Sequence, residues 1–362
     1  MPTFRGDLDG LVTYVPGKPI EDVAREHGFE LDEIVKLASN ESPDGPFPGV
    51  AEAIGNAIAE SNRYPDTEAL VLRESMSRQL GVETDSIWFG AGSVGLLTHI
   101  AYGVGGRGTS AVYAWPSFIM YRIISRWAQA EPIEVPLSPG YEIDTEALVA
   151  AIRDDTTVLY LCNPNNPTAT VIGADPVADL IRRVPDSVLV VVDEAYHDYV
   201  TDPSYQSAIP IACSRDNVVV LRTFSKIYGL AAHRIGYAVG QPQTLAKLQR
   251  TQAPFTVSSL AQAAAMASLG QPEELKRRAE ANAAGRHQLS GVLAERGLEH
   301  SKSETNFMYF CLDRADPAIE DRFLDYGVIV RPMSGGWVRV TVGSPAENQR
   351  FVDALDGVLA NG

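Results

Sequence analysis

Cysteine is scarce in this 362-residue chain. The three present, Cys162, Cys213 and Cys311, are odd in number and widely spaced. That argues against a disulfide-stapled scaffold and fits a reducing compartment. CxxC and HExxH motifs are absent, so no metal is expected. Positive charge is short as well: 30 Lys and Arg face 46 Asp and Glu, for a net charge of −16. A nucleic-acid binder normally carries a basic face, so DNA and RNA are not expected partners. A phosphorylated ligand would need a local cationic pocket in place of a global field. No apolar run reaches the length of a membrane span. The opening Met1-Pro-Thr-Phe-Arg-Gly-Asp-Leu-Asp-Gly10 has no apolar signal core. A cytoplasmic protein without membrane attachment is the expectation. Internal repeats and low-complexity tracts are missing too.

Hydrophobic residues make up 45% of the chain and charged residues 21%, enough apolar material for a sizeable core. The length allows one large domain plus a smaller one. Residues 1–44 read as an irregular arm with short helical pieces, joining the small domain. Ser42-Pro-Asp-Gly-Pro-Phe-Pro-Gly49 is a turn-rich joint. Helices are expected near 50–61 and 67–80, with Asp66 or Thr67 capping the second. In a large domain spanning 45–250, short apolar runs alternate with helical patterns. Strands are expected at 86–89, 109–114, 157–162, 187–192, 217–221 and 236–239. This alternation predicts an α/β fold, a mainly parallel sheet flanked by helices. Ligands of such sheets bind beyond the carboxyl ends of the strands. A long helical pattern near 242–299 leads into a small α+β domain spanning 251–362. Its expected strands are 306–312, 328–331 and 338–342, with helices near 317–326 and 345–359.

The most informative stretch is Arg222-Thr-Phe-Ser-Lys226-Ile-Tyr-Gly-Leu-Ala-Ala-His-Arg234-Ile-Gly-Tyr237, just past an apolar strand. Lys226 and Arg234 suit a cofactor joined to the lysine by an imine and carrying a phosphate for the arginine. The amine must be neutral to attack a carbonyl, and burial or nearby positive charge lowers its pKa. A lone loop lysine is ordinarily exposed and inert, so its neighbours decide. Upstream, another apolar strand ends in Asp193-Glu-Ala-Tyr196. A carboxylate there keeps a pyridine nitrogen protonated, which is what pyridoxal 5'-phosphate requires of its protein. Elsewhere a strand-end aspartate simply caps a turn.

Tyr196 can hydrogen-bond the phenolic oxygen of such a cofactor. So can Asn166, in Cys162-Asn-Pro-Asn-Asn166-Pro-Thr168, a loop stiffened by two prolines. Gly90-Ala-Gly-Ser-Val-Gly95 sits between a strand and a helix, where exposed amides and the Ser93 hydroxyl favour phosphate. The segment is also a literal GxGxxG. A dinucleotide site wants an acid about 20 residues later, and no Asp or Glu occurs between Asp85 and Glu131. Ser225 adds a hydroxyl beside the Arg234 charge. Phe118 could stack on the pyridine ring, although an aromatic there is commonly core. Arg331 and Arg339 lie near late apolar strands, where a guanidinium can grip a carboxylate or phosphate bidentately or form a structural ion pair.

Together these segments resemble the fold-type I pyridoxal-phosphate aminotransferases, most closely histidinol-phosphate aminotransferases and their aromatic-amino-acid relatives. The resemblance runs over nearly the whole chain, through Tyr14-Val-Pro-Gly17, Lys36-Leu-Ala-Ser-Asn-Glu41, Asn62-Arg-Tyr-Pro-Asp66 and the motifs above, to Arg339–Gly343. It implies that Lys226 anchors the cofactor and that Asp193 pairs with the ring nitrogen. Asn166 and Tyr196 contact the phenolic oxygen, and Phe118 stacks on the ring. Gly92, Ser93, Val94, Ser225 and Arg234 hold the phosphate. Arg339 clamps the substrate carboxylate, and Arg331 helps bind a side-chain phosphate. Tyr14 belongs to a lid, and Asn40 also falls among the substrate residues. Tyr64 reaches the phosphate of a neighbouring subunit's cofactor, which implies a homodimer.

Two departures bear on the substrate. His233 stands where relatives usually carry leucine, and Glu41-Ser-Pro-Asp-Gly45 replaces the more usual Glu-Asn-Pro. The expected reaction moves an amino group from a small-molecule donor, glutamate, to an oxo acceptor. Imidazole acetol phosphate is the first choice of acceptor and phenylpyruvate-type acids the second. A decarboxylase of phosphorylated amino acids on the same scaffold, or a non-catalytic module that kept the fold, are the rivals.

Overall fold

The computed structural model describes residues 2–312 and 318–361. Its strands, in chain order, are β1 (Val35–Lys36), β2 (Ile87–Gly90), β3 (Ser110–Trp115), β4 (Glu131–Pro136), β5 (Thr156–Cys162), β6 (Leu189–Asp193), β7 (Val218–Thr223), β8 (Gly236–Gly240), β9 (Phe307–Cys311), β10 (Val328–Ile329), β11 (Arg331–Pro332) and β12 (Trp337–Thr341). Seven of them form one sheet in the order β2-β8-β7-β6-β5-β3-β4. From β7 to β4 every pairing is parallel, and β8 runs antiparallel to both its neighbours. The fold is the α/β type expected.

The centre of this sheet explains itself from sequence. Val190-Val-Val192 and Val218-Val-Val-Leu221 are continuous β-branched runs without polar alternation, as strands covered on both faces require. Side chains alternate between faces along a strand. Val190, Val192, Val218 and Val220 accordingly enter one core, with Phe224 and Tyr237. Val191, Val219 and Leu221 enter another, with Tyr121 and Tyr160. β4 is not among the expected strands. Its sequence, Glu131-Pro-Ile-Glu-Val-Pro136, carries two prolines, which a ladder tolerates at an edge, and β4 is the edge.

The second helix after the arm begins at Leu70, not at 67. Asp66 takes the Leu70 and Glu68 amides at 2.8 and 3.0 Å, which turns the chain before the helix starts. The pattern near 242–299 resolves into three helices, Pro242–Leu248, Ser259–Ser268 and Pro272–Glu295. Gly270 at φ +72° and Pro272 separate the last two. The middle one lies beyond residue 250, yet Ala261, Ala264 and Ala265 pack into the core under the large sheet.

A third core gathers Leu37, Phe310, Phe323, Val340 and Phe351 around a three-stranded antiparallel sheet ordered β11-β12-β9. The arm reaches this core, because β1 pairs in parallel with β10. The stretch 328–331, expected as one strand, is split here: β10 serves β1 while β11 serves β12. Ile319–Leu324 and Pro345–Ala360 are helical, the latter opened by a Ser344/Glu347 capping box. Residue 317 of the first expected helix lies outside the described residues. Helix Pro272–Glu295 touches both bodies, with Leu275 and Ala279 against the large core and Leu289 and Leu293 within the small one. Among the described residues no helix is long and apolar enough to cross a membrane.

Candidate active site

A cavity of about 160 Å³ opens where β5, β6 and β7 end. That is the location parallel-sheet topology favours for ligands. Asp193 terminates β6, the loop bearing Asn166 leaves β5, and Ser225 and Lys226 follow β7. Ser93 and Val94 enter from the start of helix Gly92–Val104, and Phe118 from the turn after β3. Tyr196, Arg234, Arg339, Asn40 and Tyr14 complete the predicted residues that line it.

The corner where Ser93, Ser225 and Arg234 meet is built around glycine. Gly92 has φ +71°, and a Cβ added to it would meet Arg234 Nη2 at 2.5 Å. A Cβ on Gly236 would lie 2.8 Å from the Ser93 amide nitrogen. Side chains at either position would fill the cradle where helix amides, a guanidinium and a hydroxyl converge. Arg234 itself adopts φ +51°, and its Nη1 donates to Ser225 Oγ at 3.3 Å and Ala231 O at 2.9 Å. Thr223 Oγ1 donates to the same Ser225 oxygen at 2.9 Å.

Lys226 Nζ donates to the carbonyls of Asn40 at 3.1 Å and Ser39 at 3.3 Å. Burial, helped by the Arg339 charge, lowers its pKa to about 8. A substantial fraction of neutral amine is therefore present near neutral pH. Asp193 is 2% exposed. Burial lifts its carboxyl to about 6 against the pull of hydrogen bonds from Tyr121 and the Ala195 amide. A buried carboxylate with that penalty is stabilised by a cation facing it. Tyr196 Oη accepts from Asn40 Nδ2 at 2.9 Å and from Asn166 Nδ2 at 3.4 Å, and burial raises its pKa.

Arg339 stands on the opposite side. Its Nη1 donates to Asn166 Oδ1 and its Nη2 to Ala38 O, both at 2.7 Å, while its buried Nε has no partner among the described residues. Asn40 Oδ1 is likewise buried without one. The set fits a group that brings an anion, a protonated ring nitrogen and an aldehyde, with an acid-bearing substrate beside it.

Besides Gly92, two further predicted residues stand outside the cavity wall. Arg331 Nη2 donates to Val15 O at 2.8 Å, and its guanidinium lies 5.9 Å from the Tyr14 ring centroid. Tyr64 is 81% exposed and stacks on Phe255 at 4.4 Å. Ser39, Cys162, Ala195 and Thr223 also line the cavity, and Tyr121 backs Asp193. The first four lie inside or beside the motifs quoted above. Tyr121 carries no signal in the sequence, because Met120-Tyr-Arg-Ile-Ile124 reads as an ordinary core helix.

The family model for aminotransferase class I and II matches residues 32–355. The chain belongs to this family. Its members use pyridoxal phosphate, and the chain is an aminotransferase. Among curated relatives, an aromatic amino acid aminotransferase of Thermobifida fusca (strain YX) is 40% identical over 97% of this chain and 96% of its own. Histidinol-phosphate aminotransferase 2 of Ralstonia nicotianae is 41% identical over 97% and 95%. Among solved structures, the histidinol-phosphate aminotransferase of Sinorhizobium meliloti in complex with pyridoxal-5'-phosphate superposes with a TM-score of 0.88 at 29% identity, covering 96% of each chain.

Proposed function

We propose that this aminotransferase moves the amino group of glutamate to an oxo acid bearing an aromatic ring, and that it works as a cytoplasmic homodimer. The observation that carries this reading is Arg339, a guanidinium in the cavity wall with two nitrogens bonded and a buried third without a partner among the described residues. An oxo acid and glutamate both offer it a carboxylate. The other cation needed for a phosphorylated side chain, Arg331, is engaged by the Val15 carbonyl behind Tyr14. A second reading, imidazole acetol phosphate as acceptor, is favoured by how near Arg331 stands. Release of Val15 would free its donor.

Bound pyridoxal phosphate supplies the sink for electrons released at the substrate α-carbon. The chain does the rest. Lys226 Nζ would anchor the group and then carry a proton to and from the α-carbon, a role that suits an amine with a pKa near 8. Asp193 holds positive charge at the ring nitrogen. Asn166 Nδ2 and Tyr196 Oη serve the phenolic oxygen. The amides of Ser93 and Val94, with Ser225 and Arg234, take the phosphate. Phe118 and Tyr14 line the same cavity and would help shield the group from water.

Exposed apolar side chains support self-association. Tyr64 and Val71 are 81% and 67% exposed, and Tyr64 is already stacked on a second aromatic. A monomer in sedimentation at assay concentration would remove that part of the proposal. The low number and wide spacing of the cysteines support a reducing compartment. The deciding assay is a panel of oxo acceptors with glutamate as donor, reading 2-oxoglutarate. Preference for phenylpyruvate-type acids is expected. Carbon dioxide release without 2-oxoglutarate would point to the decarboxylase instead.

A further inference from the structure

We propose that Tyr121 is a positioning residue for the amino-transfer chemistry, its hydroxyl fixing the Asp193 carboxylate toward the cofactor's ring nitrogen while its ring braces Phe118. The inference rests on the reading of Asp193 given above. Tyr121 lies in helix Met120–Trp127 and is completely buried. Its Oη donates to Asp193 Oδ2 at 3.0 Å, and the Ala195 amide donates to Oδ1 at 3.2 Å. One donor on each oxygen fixes the plane of the carboxylate. Burial pushes the Tyr121 phenol well above its usual range, so at working pH it keeps the proton it donates to this anion.

The ring is as constrained as the hydroxyl. It stacks on Tyr160 at 5.0 Å with planes 1° apart, and meets Phe118 edge-on at 5.7 Å and 89°. Tyr113 closes the third side at 5.8 Å. One side chain therefore ties the acid expected beneath the ring nitrogen to the aromatic plate expected over the ring face. Tyr160 makes the contrast clear. It shares the stack, yet its buried hydroxyl has no partner among the described residues.

The groups facing Asp193 define what removal of the hydroxyl would do. Cys162 across the β5–β6 ladder is a neutral thiol, pushed by burial to about 12. Glu194, next in the chain, adds like charge but is itself held by Arg222, Ser207 and the Ala208 amide. Lys226 supplies opposing positive charge, and Tyr196 is a further neutral phenol. Of these, only Tyr121 donates a side-chain hydrogen bond to the carboxylate.

The test is Tyr121→Phe, which keeps the stack and deletes one oxygen. Infrared difference spectra of the ligand-free full chain, referenced to Asp193→Asn, report the Asp193 carboxyl titration. Its midpoint should rise by about one pH unit, since a hydrogen bond to a charged group is worth roughly that. The cofactor dissociation constant of the holoenzyme should rise about tenfold, and kcat should fall while KM for the donor stays put. Tyr160→Phe should move none of these. An unmoved midpoint in Tyr121→Phe, or an equal shift in Tyr160→Phe, overturns the proposal. Absence of amino transfer in the unmodified protein would instead fault the proposed function and leave the infrared result to decide Tyr121.

Discussion

Asp193 and Tyr14 border the same cavity under different constraints. Asp193 is 2% exposed, ends a strand buried on both faces, and has a donor on each oxygen. Tyr14 is 52% exposed, belongs to an arm with little regular structure, and is approached by an arginine that holds its neighbour's carbonyl. The same contrast separates the two walls as wholes. The strand-end wall presents groups paired to one another and matched to a single ligand. The arm wall presents a half-exposed tyrosine beside an arginine bonded to a backbone carbonyl. Relatives of almost equal identity bear the names of two different substrates.

The comparison can be broken most sharply at Lys226. Lys226→Ala should lower turnover by at least about 10⁴-fold, because anchor and proton carrier are lost together. Retained activity would show that the strand-end wall is not where the chemistry occurs. Asp193→Asn should slow turnover by about 10² to 10³-fold while stabilising the ligand-free protein. The sign follows from the raised carboxyl. The native state keeps a proton between pH 3.8 and about 6 that the unfolded chain has released. Stability therefore falls as pH rises through that window, and the loss is complete above it. The Asn variant escapes it and should gain about 3 kcal/mol at pH 7.5 but nothing below pH 4, as read by urea unfolding.

On the arm side the effects are smaller and selective. Arg331→Ala should reduce kcat/KM for a phosphorylated acceptor by about 10 to 100-fold and for phenylpyruvate by about twofold, the scale of one charge-assisted contact. Equal losses would deny Arg331 any part in phosphate recognition. The mildest expectation concerns rate against pH. An amine-reactive reagent should label Lys226 in the ligand-free protein with a midpoint near pH 8, where an ordinary lysine titrates near 10.4. A midpoint at the ordinary value would mean that burial and Arg339 do not depress this amine.

The strand-end wall is the more legible of the two from sequence. Asp193, Lys226 and Arg234 fall at fixed offsets from apolar runs, and an apolar run followed by a polar residue is a local signal. The large sheet is legible for the same reason, except β4, whose prolines and glutamates mimic a loop. Three kinds of feature leave no local trace. The acceptors of Lys226 are backbone carbonyls of Ser39 and Asn40, which no residue type announces. Tyr121 reaches Asp193 across 72 residues from a helix whose composition says only core. The tie between Arg331 and Val15 spans 316 residues and depends on where the arm lies.

Helix Pro272–Glu295 is about 36 Å long, at 1.5 Å per residue for its 24 residues. One end is bedded beneath the large sheet and the other in the small body. Between them, Arg278 donates to the carbonyl of Ile227, the residue directly after Lys226, and Arg286 pairs with buried Glu304. The residue next to Lys226 is thereby held by an element that both cores share.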